Sequence, residues 1–281
     1  MAHKTENELE NERLGRRRFL RSAALTAAGI AAVPLLLPSP ALAGGFFSAA
    51  SPDDQKKIGD QAAAQVLKQY HEVFDGRATH FNQLGQRLVH ALPASDRNTW
   101  NFRFHVLDSK EVNAFALPGG NMFMFTGLYK LLATDDALAG VTGHEMTHVR
   151  LQHWAKANAK QQERDTLLAL GLSFFHAGTT AQSIAGMVDS TIGLKYSRTE
   201  EDQADQGGLQ NMVAAGFNPQ GMIQLFQTLE KVSGNGGSVA GDFLSDHPLT
   251  SDRIKRTQQR IAALQSTSTF PPLTPLHYSQ L

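Results

Sequence analysis

Apolar positions recur with a helical period over most of this chain and with a strand period over one short stretch. Residues 51–74 carry an apolar side chain at every fourth position, which predicts an amphipathic helix. The positions that form this face are Ile58, Ala62, Val66 and Tyr70. Similar patterns predict a short helix over residues 81–91 and a long one over residues 135–159. Helix start and stop residues bound further helices at 197–215, 219–232 and 251–264.

The periodicity changes between residues 101 and 125. Apolar and polar residues alternate over 101–106, and residues 122–125 form a second strand candidate. The intervening segment 117–121 contains Pro and two Gly, which is typical of a turn. These features predict a small antiparallel sheet beside the helices. The expected fold class is therefore α+β and mostly helical.

The remaining segments define the expected domain limits. Residues 167–194 are apolar but irregular and contain no uninterrupted run of about 20 apolar residues, so a buried helical hairpin or a mobile cover is expected there. Residues 233–241 form a Gly/Ser loop, and residues 266–281 a flexible tail rich in Pro, Ser and Thr. One domain is predicted over residues 44–265.

The first 43 residues have the order of parts that an export signal requires. Arg16, Arg17 and Arg18 precede an apolar run over 23–37, and small residues follow up to Ala43. The paired arginines are typical of the twin-arginine route. A membrane anchor is the alternative, but prolines interrupt the apolar run. Cleavage after Ala43 and a periplasmic or otherwise exported location are predicted, with no stable membrane insertion afterwards.

Composition narrows the chemistry that is available. The formal net charge is zero, which gives no indication of a nucleic-acid partner. The chain contains no cysteine, so disulfides, thiolate metal sites and a cysteine nucleophile are excluded. Any bound metal ion would need His, Asp or Glu ligands.

The sequence GHEMTH at residues 143–148 carries the central chemical pattern. On a helix, His144 and His148 lie one turn apart on the same face, so both imidazoles can reach one Zn²⁺. Glu145 lies beside them, where its carboxylate can accept a proton from a zinc-bound water. The alternative is a helix face that merely carries two core or surface histidines.

A second carboxylate pair follows at helical spacing. Glu201 and Asp205 are four residues apart, so one can complete a His₂Glu zinc site while the other holds the far nitrogen of a ligating histidine. The alternatives are a solvated acidic helix start and a purely structural zinc, which would ordinarily use cysteines. His153 does not fit the spacing of a third histidine ligand, since Leu151 and Trp154 occupy the diagnostic positions, so a structural role is expected.

These motifs, together with several other segments, resemble the HtpX/BepA-like zinc metallopeptidases, relatives of the Oma-type and CAAX-prenyl proteases, and in particular the periplasmic branch of that family. The segments that carry the resemblance are 113–120 (NAFALPGG), 126–128 (TGL), 143–148 (GHEMTH), 196–205 and 247–254. The resemblance implies a gluzincin-type domain, one Zn²⁺ per chain, Glu201 as third ligand and Asp205 as the acid behind a ligating histidine.

The resemblance also implies two further elements of the site. An extended substrate would dock as an added strand along the segment that begins with Asn113, Ala114, Phe115 and Ala116. His247 would either stabilise the oxyanion or occupy the fourth zinc position as a latch, and Arg253 is a weaker candidate for the electrostatic role. The alternative for His247 and Arg253 is a capped helix start with a surface salt bridge.

The predicted function is zinc-dependent hydrolysis of peptide bonds in exported or misfolded envelope proteins, with Glu145 as general base and then as proton donor. The expected partners are polypeptide substrates and envelope assembly proteins. The alternative is a quality-control binder that resembles a chaperone and cleaves little. The substrate itself is not specified by the sequence.

Overall fold

Side chains that the sequence places just before each helix determine where the main helices begin. The Ser51 hydroxyl accepts a hydrogen bond from the Asp54 amide, and that of Thr134 accepts one from the Ala137 amide. Ser197 and Glu200 form a reciprocal capping box at the start of a third helix. Each cap satisfies backbone donors that the first helical turn leaves without partners.

The computed structural model describes residues 50–160, 195–234 and 241–276, all within one compact unit. The predicted export signal and the apolar stretch 167–194 lie outside the described residues. The elements in chain order are α1 (Pro52–Gln69), α2 (Gly76–Ala91), α3 (Ala94–Thr99), β1 (Arg103–Leu107), β2 (Ala114–Ala116), β3 (Asn121–Phe125), α4 (Thr126–Tyr129), α5 (Asp135–Arg150), α6 (Arg198–Ala214), α7 (Gln220–Gly234), α8 (Gly241–Asp246) and α9 (Ser251–Gln265). The predicted α+β class is confirmed. Within the described ranges, no helix has the length and apolar character needed to cross a membrane.

The sheet is mixed, and the prediction of an antiparallel sheet was wrong. Its strand order is β1-β3-β2, with β1 parallel and β2 antiparallel to β3. The connection from β1 to β3 forms the additional strand β2, which reverses the chain direction, so β3 runs the same way as β1. All five residues of the central strand β3 are buried. Among the described strands, β2 has a hydrogen-bonded neighbour on one side alone, which makes it an edge.

The start of the domain also differs from the sequence prediction. Helix α1 ends at Gln69 because Tyr70 is extended, and the Val73 amide then donates to the carbonyl of Val106 in β1. Helix α2 begins at Gly76, where the Asp75 side chain caps it, rather than at residue 81. Sheet pairing and a cap therefore override the apolar periodicity at these two ends.

Helix α5 is the centre of the fold, and it does not continue to residue 159 as predicted. The helix ends at Arg150, and Gln152 has a φ of 57° in the left-handed region. Helical backbone resumes at His153. The Gln152 side-chain oxygen accepts a hydrogen bond from Gln55 of α1 at 2.9 Å. This contact ties the turn to a distant helix, which helps to offset the strain of left-handed backbone in a non-glycine residue.

The C-terminal segment contacts the helical domain as far as the description extends. Thr274 accepts a hydrogen bond from the Asp135 amide, and the Leu276 amide donates to the Ala133 carbonyl. Leu276 is buried. The carboxylate of Asp136, also buried, accepts one bond from the Asn218 amide and one from the Thr274 amide, each at 2.7 Å. The beginning of α5 is therefore joined to the approach to α7 and to residues 274–276.

Glycines allow α5 and α6 to approach each other closely. A Cβ atom added at Gly208 would lie 3.0 Å from the His144 amide nitrogen and 3.2 Å from the Gly143 carbonyl carbon. One at Gly143 would lie 3.2 Å from the Gly208 carbonyl oxygen. The backbones therefore pack directly against each other, at the level of the predicted metal-binding motif.

We expect Gly208→Val to destabilise the protein by about 1–3 kcal/mol, because the branched side chain would push α6 away from α5. Gln210→Val, at an exposed position of the same helix, is the control for the intrinsic helix preference of Val and should cost less than about 1 kcal/mol. Urea denaturation of the two variants and the parent measures both losses. Equal losses would contradict the close-packing argument.

Candidate active site

The two motif histidines of α5 point their outer nitrogens at one place. His144 Nε2 and His148 Nε2 are 3.1 Å apart, and both side chains are almost completely buried. Their spacing of four residues on one helix places the rings on the same face. The helical interpretation of GHEMTH is therefore confirmed, and the alternative of two surface histidines is wrong.

Helix α6 brings a carboxylate to the same place. Glu201 Oε1 lies 3.4 Å from His148 Nε2, and Glu201 Oε2 lies 3.6 Å from His144 Nε2. Glu201 is 1% exposed, so the alternative of a solvated acidic helix start is wrong for this residue. The capping role falls to Glu200, whose side chain accepts from the Ser197 amide at 2.8 Å.

His247, which follows α8, completes the cluster. Its Nδ1 is 2.9 Å from Glu201 Oε1 and 3.3 Å from His144 Nε2. Its Nε2 is 3.4 Å from Glu145 Oε1. The ring also stacks on Phe243, with 4.8 Å between centroids. His247 is thus buried between the two carboxylates, not a surface residue at a helix start.

The donor atoms of His144, His148, Glu201 and His247 all lie within 4.8 Å of one another. Ligands about 2.0–2.1 Å from a tetrahedral zinc are separated by about 3.3 Å. The separations between atoms of the cluster, from 2.9 to 3.6 Å, are close to that value. These residues therefore fit a tetrahedral metal site with nitrogen and oxygen ligands.

Asp205 and Arg253 lie directly behind the cluster. Asp205 Oδ1 accepts a bond from His144 Nδ1 at 3.0 Å, which leaves His144 Nε2 free to face the metal position. Arg253 holds Asp205 through two bonds, of 2.8 and 2.7 Å, and also contacts Glu201. Arg253 is 4% exposed, so its interpretation as a surface ion pair is wrong.

Glu145 connects the cluster to the edge strand. The backbone of Ala116, at the end of β2, lies close enough to the Glu145 carboxylate to lower its pKa, against the larger effect of burial. The side chain is buried, and among the described residues its Oε1 has no hydrogen-bond partner. Asn113 and the three residues of β2 are buried as well. The predicted substrate segment and the predicted base are therefore adjacent.

Burial and charge shift the acidities of the cluster in different directions. Burial raises the pKa of Glu145 and lowers that of His148 well below its usual value. Burial also opposes the ionised form of Glu201, but the neighbouring His247 and His144 hold its pKa below the usual range. Against the effect of burial, the carboxylates of Glu145 and Glu201 raise the pKa of His247 to about 9.

Sequence reasoning missed two aromatic contacts to His148. Tyr196 stacks on its ring, with centroids 3.9 Å apart and planes inclined by 29°. His153 meets the same ring edge-on, and its Nδ1 is 2.9 Å from His148 Nδ1. His153 lies outside the group of converging donor atoms, but it contacts His148, a member of that group. Nothing in the sequence pattern signals the turn at Gln152 that makes this contact possible.

Comparison with known proteins agrees with this geometry. A model of peptidase family M48 matches residues 76–261. The chain is 30% identical over 217 residues to a beta-barrel assembly-enhancing protease of Yersinia pestis, covering 74% of this chain and 44% of that protein. It is 36% identical over 212 residues to the mitochondrial metalloendopeptidase OMA1 of Saccharomyces cerevisiae, covering 71% and 59%.

A beta-barrel assembly-enhancing protease of Escherichia coli strain K12 is 28% identical over 231 residues, covering 77% of this chain and 46% of that protein. The chain therefore spans about half the length of the curated relatives it matches. The family match extends from α2 into α9 and includes every residue of the buried His/His/Glu/His cluster. The chain thus belongs to peptidase family M48, whose metalloproteases use zinc.

Proposed function

We propose that this chain is a zinc-dependent endopeptidase that hydrolyses exported or misfolded envelope proteins. The observation that carries the proposal is the buried His144/His148/Glu201 donor set with the Glu145 carboxylate directly beside it. Membership of family M48 and the names of the relatives support peptide-bond hydrolysis as the reaction.

Each residue has a distinct role in this proposal. His144, His148 and Glu201 would hold the zinc ion, which when bound polarises a carbonyl and lowers the pKa of water. Glu145 takes the proton from the attacking water and passes it to the leaving amine. Burial raises the pKa of Glu145, which makes its carboxylate a better proton acceptor.

The side of β2 that has no strand neighbour among the described residues supports a mode of substrate binding. An extended peptide can pair with the free side of β2 through backbone hydrogen bonds. The segment proposed for this contact is Asn113, Ala114, Phe115 and Ala116. Because the Ala116 backbone lies beside the Glu145 carboxylate, a peptide on this edge would lie next to the base.

The proposed location is the periplasm, reached by the twin-arginine route with removal of residues 1–43. Support comes from the order of basic, apolar and small residues in that segment. Partners in outer-membrane assembly are proposed because two of the relatives are named beta-barrel assembly-enhancing proteases.

Glu145→Gln should abolish cleavage of an unstructured protein while zinc content stays at the parent value, because the amide cannot accept the proton of the water. Turnover is measured with fluorescent casein, and zinc by elemental analysis of the same samples. Wild-type cleavage by the zinc-loaded variant would contradict the role of Glu145. If cells that carry only the inactive variant behave like cells that carry the parent protein, the alternative of a chaperone-like binder would be favoured instead.

Zinc affinity should fall most when a ligand is removed and less when a residue behind a ligand is removed. Glu201→Ala removes a ligand and should abolish stoichiometric binding, whereas Asp205→Ala removes a partner of His144 and should weaken binding by about 10–100-fold. Competition with a chelator measures both affinities. A full zinc equivalent in Glu201→Ala would show that the third ligand is wrongly assigned, and unchanged affinity in Asp205→Ala would remove Asp205 from the site.

His247 is proposed to act as a latch. Its ring lies within hydrogen-bonding reach of Glu201 and 3.4 Å from Glu145, so it occupies space that the water and the substrate carbonyl need. His247→Ala should therefore raise basal cleavage of an unstructured substrate at matched zinc content. A decrease of about 10²–10³-fold would assign His247 to oxyanion stabilisation instead. Equal rates would contradict both roles.

A further inference from the structure

A chain of polar contacts continues outward from His148, away from the metal-binding cluster. His148 Nδ1, the nitrogen that does not face the cluster, lies 2.9 Å from His153 Nδ1. His153 Nε2 lies 3.1 Å from Gln203 Oε1 on α6. His153 is completely buried, while Gln203 reaches the surface. We call His148, His153 and Gln203 the imidazole relay.

The requirement for a metal ligand fixes where each proton of this relay resides. A neutral imidazole has one N–H, and the nitrogen that binds a metal must present a lone pair. If His148 Nε2 faces the metal, its proton is on Nδ1 and must be donated to His153 Nδ1. His153 then carries its own proton on Nε2 and donates it to the Gln203 side-chain oxygen. The opposite direction would put a proton on His148 Nε2 and block the ligand.

The backbone turn after α5 makes the relay possible. In a continuous helix, a residue five positions after His148 would project from a different face. The left-handed Gln152, with a φ of 57°, redirects the chain so that His153 packs edge-on against His148 instead. Strained backbone beside a functional side chain is commonly part of how that side chain is positioned.

We propose that His153 is a positioning residue that, together with Gln203, holds His148 in the tautomer that binds zinc. This inference rests on the proposed function, because it assumes that His148 is a zinc ligand. Its consequence is that the two motif histidines are held by unlike partners. His144 is held by the buried carboxylate of Asp205, whereas His148 is held by a neutral relay that ends at an exposed amide.

Zinc affinity, measured by chelator competition, tests the relay without depending on activity. His153→Leu should bind zinc about 10–100-fold more weakly than the parent, and His153→Gln, which keeps an acceptor for His148, should recover part of this loss. Gln203→Leu changes an exposed side chain and should weaken binding by about tenfold, while Gln203→Glu should bind at least as tightly as the parent. Gln210→Leu, an exposed position on the same helix, is the matched control and should bind like the parent.

Nitrogen NMR of the imidazoles in the zinc-loaded protein supplies a second readout. A merely structural role for His153 would not determine which of its ring nitrogens carries the proton. We expect neutral His153 with its proton on Nε2 and His148 with its proton on Nδ1. A His153 proton on Nδ1, or parent-like affinity in both His153→Leu and Gln203→Leu, would contradict the relay while leaving the proposed function intact. A parent protein that takes up no zinc would contradict the proposed function itself.

Discussion

Three carboxylates lie buried around one point between α5 and α6, and the rest of the site is arranged to compensate their charge. Glu145, Glu201 and Asp205 are each 3% exposed or less. An isolated ionised carboxylate in such a place is strongly unfavourable unless it is paired and hydrogen bonded. Arg253 provides one positive charge, held against both Glu201 and Asp205. A bound zinc ion would provide two more at the position where the donor atoms converge.

This arrangement explains why the residues behind the metal position are as deeply buried as the ligands. Arg253 crosses from α9 to α6, so the α9 segment is attached to the site by charge as well as by apolar packing. His247 precedes α9 in the chain and contacts Glu201, which Arg253 also contacts. The neighbouring carboxylates of Glu145 and Glu201 raise the pKa of His247 to about 9, against the effect of burial.

Much of this architecture could be predicted from the sequence because it depends on local spacing. GHEMTH places two histidines on one helix face wherever that helix lies, and Ser197 with Glu200 defines the start of α6 from adjacent residues alone. The direction of β1 relative to β3 was not predictable in this way, since it depends on an additional strand of three residues in the connection. The burial of Arg253 depends on a partner 48 positions away.

The turn at Gln152 shows why a missed boundary matters for chemistry and not only for the outline of the fold. Apolar periodicity favours one helix through residue 159, and in such a helix His153 has no contact with the motif. The structure interrupts that helix with a left-handed residue and ties the turn to Gln55 of α1. Helix α1 also packs near the glycine turn that precedes β3, where a Cβ at Gly59 would collide with the Pro118 carbonyl oxygen. One helix therefore braces both the turn that directs His153 to His148 and the turn that connects the edge strand β2 to the sheet.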